Sequence, residues 1–319
     1  MMKPLLRQAA VALLVVVVGL ATLRKDYGTI NPTTTPSASV QSITTTSVHQ
    51  QIKNHINQIQ FLEPIGCNNI PIDTAPHYTI EEFPVYNKTA VVDFSPWIGG
   101  KDQKQVFDES NGGLFHQILD IDPDEIFIDV GANIGQMTMV GLVSGVTTFA
   151  FDPLEYDMMK ICSGVNETVK RGYTQTTENL YLFRSLVGNE SQTNVSITRP
   201  DDAFGKFEQA SLFANTIGVA RKPKSYVKEY VPMITLDEVI PPHLPIGLVK
   251  IDVQGFEWPV VQGMKGLLER KVGYPRIVHY EEHPRITLGA GFSLGTVQSF
   301  LEGYNYTCTK LVIDISCKK

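Results

Sequence analysis

Ile126-Phe-Ile-Asp-Val-Gly-Ala-Asn-Ile-Gly135 opens as an apolar run, halts at Asp129 and turns through Gly131 and Gly135 into Met137, Thr138 and Met139. The pattern predicts a strand, a glycine turn and a helix start. Such a junction aims several backbone N–H groups and the positive end of a helix at one point. Glycines there let a ligand approach the backbone itself. A nucleotide-like ligand is therefore expected at Gly131 to Gly135.

A second apolar run, Val146 to Phe151, ends at Asp152, 21 residues after Gly131. That is close to the separation at which an acidic residue meets ribose hydroxyls in doubly wound folds, so Asp152 is the ribose candidate. The glycines depart from Gly-x-Gly-x-x-Gly, because Asn133 stands where the second would be. A pyrophosphate pressed against the backbone is then less favoured than a mononucleoside, which points away from NAD and towards S-adenosylmethionine.

Working outward, strand-like runs near 126–130, 146–151, 180–187, 247–251 and 276–280 alternate with helical stretches. This βαβ alternation predicts an α/β, doubly wound, mostly parallel sheet with helices on both faces. Ligands of such sheets bind beyond the carboxyl ends of the strands, and Asp129, Asp152 and Asp252 all fall at or near such ends.

Asp129-Val-Gly-Ala-Asn-Ile-Gly135 resembles the first motif of the FkbM-type methyltransferases, within the class I S-adenosylmethionine-dependent superfamily. Leu248-Val-Lys-Ile-Asp-Val-Gln-Gly-Phe-Glu257, followed by Val260, Val261, Gly263 and Leu267, is similar to that family's Lys-Ile-Asp-x-Glu-Gly-x-Glu segment. Thr235-Leu-Asp-Glu238 matches its Thr-Leu-Asp stretch, and Ile277-Val-His-Tyr-Glu281 falls where a strand ending in Glu belongs. The resemblance spans about residues 120–285. It implies a seven-stranded Rossmann-like sheet whose last two strands, near 304–309 and 311–315, supply an antiparallel edge strand. Two departures stand out. Gln254 replaces the family's usual Glu and removes a negative charge, and Leu186-Val-Gly-Asn189 only loosely follows the adenine-side segment.

The cofactor's charges suggest roles. Its methionine carboxylate suits the helix start at Gly131 to Gly135, where the helix dipole favours an anion by about 0.3–1 kcal/mol. Asp129 is the candidate for the ammonium side or a hydrogen bond to the turn, Asp152 for the ribose and Asn189 for the adenine side. Asp252 is placed nearest the emerging methyl group, to orient an acceptor hydroxyl or take its proton, with Lys250 holding the Asp or the acceptor. A structural ion pair is the alternative for Lys250 and Asp252. Glu257 reads equally as a catalytic acid or as a carboxylate favoured by the helix dipole. His279, Glu281, Glu282 and His283 are candidates for an acceptor pocket or for exposed loop polarity, and no metal site is expected.

The chain has 319 residues and a net charge of −6 with no long basic stripe, which excludes nucleic acid as an expected partner. Arg221, Lys222, Lys224 and Lys228 form only a short run, read as solvated or as facing an acidic glycan. Ala9 to Leu23 is an uninterrupted apolar stretch flanked by Lys3, Arg7, Arg24 and Lys25. It reads as a membrane signal-anchor, short against the roughly 20 residues of a full span, with cleavage near Gly19-Leu-Ala21 as the alternative. Thr29 to about Gln51 is Thr/Ser-rich with Pro32 and Pro36, a stem too poor in apolar groups to fold. Ile52, Ile56 and Ile59 predict a short amphipathic helix over 52–61. The expected organisation is a tail and anchor at 1–25, a stem at 26–58 and the methyltransferase domain at 59–319.

Asn87, Asn166, Asn189, Asn194 and Asn305 head five Asn-x-Ser/Thr sequons, where composition gives about two by chance. With the anchor they imply a lumenal domain in the endoplasmic reticulum or Golgi. Asn189 is expected to carry no glycan if it borders the adenine. Cys67, Cys162, Cys308 and Cys317 suit one or two disulfides rather than zinc. A local Cys308–Cys317 bridge leads the pairings, and a buried free thiol is the alternative for Cys162. The combined expectation is an O-methyltransferase acting on a hydroxyl of a glycan or glycoconjugate. The rival, motivated by Gln254, is a methyltransferase-like binding or trafficking module without chemistry.

Overall fold

The computed structural model describes residues 47–70, 78–83, 88–93, 112–173, 176–200, 225–311 and 313–319. The expected anchor, most of the stem, Asn87, Arg221, Lys222 and Lys224 lie outside the described residues. No described helix is long and apolar enough to cross a membrane.

The strands in chain order are β1 (Tyr78–Phe83), β2 (Lys88–Asp93), β3 (Ile126–Val130), β4 (Thr147–Asp152), β5 (Leu180–Arg184), β6 (Leu186–Val187) and β7 (Gln192–Pro200). They continue as β8 (Tyr226–Ile234), β9 (Ile246–Ile251), β10 (Ile277–Glu281), β11 (Thr307–Lys310) and β12 (Asp314–Lys318). Seven of them form one sheet in the order β11-β12-β10-β9-β3-β4-β5. The pairings from β10 across to β5 are parallel. The final pair supplies the antiparallel edge, with the reversed strand β12 one place in and β11 on the rim.

Strand alternation sorts the core into two layers. Ile126, Ile128, Val130, Phe149, Phe151, Phe183, Val249, Ile251 and Tyr280 face one layer with Ile52, Ile56, Val260, Leu267 and Leu301. Phe127, Ala150, Leu182 and Leu248 face the other, under the helices Gly112–Leu119, Gln136–Ser144 and Glu155–Lys170. Burial of each large apolar side chain is worth about 1.5–3 kcal/mol, so continuous apolar strands covered on both faces hold this sheet together. Cross-strand stacking of Phe149 on Tyr181 and of Phe151 on Phe183, each pair at 5.0 Å between ring centroids, fixes the β4–β5 register.

Several boundaries differ from expectation. The amphipathic helix is Val48–Ile56, capped by Ser47, which accepts from the Gln50 N–H. Its Ile52 and Ile56 are buried in the main core, so this helix belongs to the folded part although it lies inside the stretch expected as stem. The run expected at 180–187 is broken at Ser185. Beyond it, Leu186–Val187 leaves the main sheet and joins a three-stranded sheet of order β6-β8-β7. That sheet was not foreseen; it carries Lys228 on an exposed position of β8. Cys308 pairs with Cys317 across β11 and β12, as expected of a local bridge. Cys162 is not a free thiol, because it is bonded to Cys67.

Candidate active site

Three loops leave the carboxyl ends of adjacent parallel strands and meet. The first follows β3. Gly131 takes a left-handed φ of 78°, and a Cβ on it would lie 1.8 Å from the Asp252 carbonyl oxygen, so only glycine allows the β3 and β9 loops to touch. The N–H groups of Gly131 and Ala132 donate to Phe151 O, which ties the same loop to β4. Asn133 is also left-handed, with φ 52°, and its Oδ1 accepts from the Ile134 N–H at 2.7 Å. Asn tolerates this conformation through such local bonding.

The second loop begins at Asp152, which is 6% exposed. Its Oδ2 accepts the Asn133 N–H at 2.9 Å and its Oδ1 the Leu154 N–H at 3.0 Å. Burial pushes its carboxyl above the ordinary range, against the lowering effect of these bonds and of a side-chain hydrogen bond with Asp157.

The third loop follows β9. Lys250 Nζ lies 3.2 Å from Asp129 Oδ1 and 3.9 Å from Asp252 Oδ2, and donates to Gly131 O. Burial pulls the Lys250 ammonium down, but Asp129, Asp252 and Asp152 together raise it above its usual value. The lysine is therefore a buried cation that ties the β3 turn to the β9 tip. Asp129 Oδ2 also accepts from Thr138 Oγ1 at 2.6 Å. Gln254 and Gly255 are both left-handed, at φ 54° and 99°, and turn the chain so that Glu257 Oε1 accepts from Gly255 N–H at 3.0 Å and Val253 N–H at 3.2 Å. Gln254 Nε2 donates to Asp252 Oδ1 at 3.0 Å and to Glu281 Oε2 at 3.4 Å. Burial pushes Glu281 up to about 9, with Asp252, Glu257 and Asp314 adding to the shift, so at neutral pH it is a proton-bearing neighbour of Asp252.

These loops line one cleft beyond the carboxyl ends of the strands, the place where open α/β sheets bind ligands. Gly131, Asn133, Asp152 and Asp252 line it, joined by Asp157, Ser185, Ile197 and Gln254. Sequence reasoning missed Asp157 and Ser185. Ser185 Oγ is buried with no hydrogen-bond partner among the described residues, so this wall offers a donor and acceptor that a ligand would satisfy.

The other candidates fall outside the cleft lining. Asp129 and Lys250 sit beneath it. Gly135 caps the helix Gln136–Ser144, and a Cβ there would press on Ile161 at 2.7 Å, so its role is close helix packing. Asn189 is exposed and leaves the cleft wall to Ser185, Leu186 and Val187, which removes the reason to expect its sequon to be empty. Glu257 lines a separate, smaller cavity together with Tyr280, Glu281 and Glu282. Of the cluster after β10, Glu282 accepts the Gly295 N–H at 2.7 Å and His279 Nε2 lies 3.8 Å from Asp314, both internal contacts.

The model of the methyltransferase FkbM domain family matches residues 129–308, which takes in all three loops. Solved structures with a similar fold include methyltransferase FkbM from Methylobacillus flagellatus KT, with 12% identity, a TM-score of 0.40 and coverage of 62% of this chain and 44% of that one. The chain thus spans less than half the length of that protein. A putative rRNA-methylase from Clostridium thermocellum aligns at 11% identity, TM-score 0.38, over 66% of this chain and 95% of that one. Precorrin-6y C5,15-methyltransferase from Geobacter metallireducens GS-15 aligns at 13% identity, TM-score 0.35, over 72% and 98%. A comparison with curated proteins returns no match.

Proposed function

Because this chain belongs to the FkbM methyltransferase domain family, we propose that its cleft binds S-adenosylmethionine and that it methylates a hydroxyl of a glycan or glycoconjugate in the secretory lumen. The observation that carries the donor reading is Asp152. It is fixed by two backbone N–H groups at the end of β4, in the same cleft as the Gly131 turn and Asp252. The cradle, the ribose-type acid and the orphan hydroxyl of Ser185 suit a nucleoside bearing an amino-acid tail.

When bound, S-adenosylmethionine supplies an electrophilic methyl group on a sulfonium centre. The protein contributes alignment and exclusion of water, which can supply much of the gain in an in-line transfer. Asp252, whose side chain is 42% exposed, has Oδ1 held by Gln254 and Oδ2 beside Lys250. In this reading it orients the acceptor hydroxyl and takes its proton at Oδ2. Gln254 holds Asp252 in place as a neutral donor, where the family's usual Glu would repel it.

The compartment is inferred from the Ala9 to Leu23 segment, the five sequons and the two disulfides, which persist in oxidising surroundings. The proposed topology is a single-pass membrane protein with its catalytic domain in the Golgi or endoplasmic reticulum lumen. Isothermal calorimetry of the full-length chain with S-adenosylmethionine tests the donor: binding is expected, and Asp152→Ala should abolish it. No binding would leave a non-catalytic module instead. Mass spectrometry of released glycans with and without the gene tests the acceptor, and glycan profiles lacking any methyl difference would remove it.

A further inference from the structure

The sequon Asn194-Val-Ser196 lies within β7, and both Asn194 and Ser196 are exposed. Gln192 pairs with Met233 and Val195 with Val231, so Thr193 and Asn194 together oppose Pro232. This is a β-bulge, which bends a strand and re-aims its side chains. An N-linked sugar is bulky and needs such an open position on the folded chain. Of the other described sequons, Asn166 is half-buried on the helix Glu155–Lys170 with Thr168 fully buried, and the Ser191 hydroxyl that follows Asn189 donates to Glu238.

Beside the bulge stands an aromatic side chain that internal packing does not explain. Ser196 pairs directly with Tyr230, which is 61% exposed, the most of any aromatic among the described residues. Strand alternation puts Tyr226, Lys228 and Tyr230 on one face of β8. Glu229 points to the other face, where it pairs with Arg184 and Arg199. A tyrosine combines an apolar ring face with a polar tip. A sugar ring is its counterpart, with C–H groups on one side and hydroxyls around the rim. Asn194 lies two residues along β7 from Ser196, the residue opposite Tyr230, a step of about 7 Å. An Asn side chain followed by one sugar ring spans that step.

We propose that Asn194 carries an N-linked glycan whose first sugar stacks on the Tyr230 ring. This rests on the lumenal reading above and goes beyond it by naming an occupied position and the side chain that holds the sugar. The same sheet supplies Leu186, Val187 and Ile197 to the lining of the cleft. A glycan stacked on its outer face therefore braces that wall from outside.

The test uses the full-length chain expressed in a glycosylating eukaryotic cell. Release of N-glycans by glycosidase in heavy-oxygen water, followed by peptide mass spectrometry, should place the label at position 194. In thermal melts Asn194→Gln should lower the melting temperature by about 2–4 °C. Tyr230→Ala should cost about the same in the glycosylated protein, but less than about 1 °C in the Asn194→Gln background, because the ring then has no sugar to hold. Label at other sequons with none at 194 would overturn the proposal alone. An occupied Asn194 with equal Tyr230→Ala losses in both backgrounds would overturn the stacking. Label at no sequon would overturn the lumenal reading together with it.

Discussion

Lys250 Nζ sits 3.2 Å from Asp129 Oδ1, a carboxylate with no solvent exposure, directly under the Gly131 turn. The two residues face each other across β3 and β9 and are in register. Removing one partner of a buried pair strands the other charge and typically costs about 3–5 kcal/mol. Lys250→Met should therefore lower unfolding free energy by about that amount, and Lys250→Met with Asp129→Asn should cost clearly less than Lys250→Met alone. Denaturant titration of the three proteins checks this. A single-variant loss below about 1 kcal/mol would mean the pair is hydrated and energetically minor.

Gly131 and Gly145 share a left-handed backbone, at φ 78° and 91°, but differ in space. A Cβ at 131 meets backbone at 1.8 Å, whereas at 145 nothing lies within 4 Å. Gly145→Ala should lose only the conformational cost of about 1–2 kcal/mol. Gly131→Ala must also push the Asp252 loop away, so it should cost more than about 3 kcal/mol and abolish donor binding. Thermal melts with calorimetry distinguish them, and equal losses would contradict the close approach.

The parts of this architecture that were legible in the sequence are those enforced by two-sided burial. β3, β4, β9 and β10 must be apolar runs because helices cover both faces, and each run ends at a polar tip because the cleft opens there. Asp129, Asp152 and Asp252 were found through that rule. Asp157 was not, since an acid in the first turn of a helix is explained by the dipole alone. Ser185 was hidden because β5 breaks at it and a two-residue strand then departs to another sheet. β8 alternates exposed and half-buried residues, with Lys228 among them, and so reads as a solvated insertion rather than as a strand of a second sheet. The Cys67–Cys162 bridge joins residues 95 apart in sequence, a pairing no local pattern specifies.

Those two bridges should differ in weight. In the chain-entropy view a disulfide constrains the unfolded chain more when it closes a longer loop, with typical effects of about 2–4 kcal/mol. Cys67–Cys162 closes a separation of 95 residues and pins the helix Glu155–Lys170 to the segment before β1, while Cys308–Cys317 closes only 9 within an already paired hairpin. Paired Cys→Ser substitution at 67 and 162 should lower the melting temperature more than the same change at 308 and 317. The reverse order under non-reducing conditions would show that strand pairing at the edge depends on its bridge.

Glu257 gives stability a pH dependence of defined sign. Burial pushes its carboxyl up to about 7 from 4.5, with the Gly255 and Val253 N–H groups opposing the shift and Asp252 adding to it. Between these values the folded chain holds a proton that the unfolded chain has released, so this group's contribution to stability falls as pH rises from about 4.5 to about 7. Over the whole window the loss is of order 3 kcal/mol. Glu257→Gln preserves an oxygen acceptor for both N–H groups and removes the titration. The stability of the Gln variant relative to wild type should therefore rise by about 3 kcal/mol between pH 4 and pH 8 in urea unfolding. A difference that stays constant with pH would mean that Glu257 titrates alike in the folded and unfolded chains and that the loop after β9 is open to water.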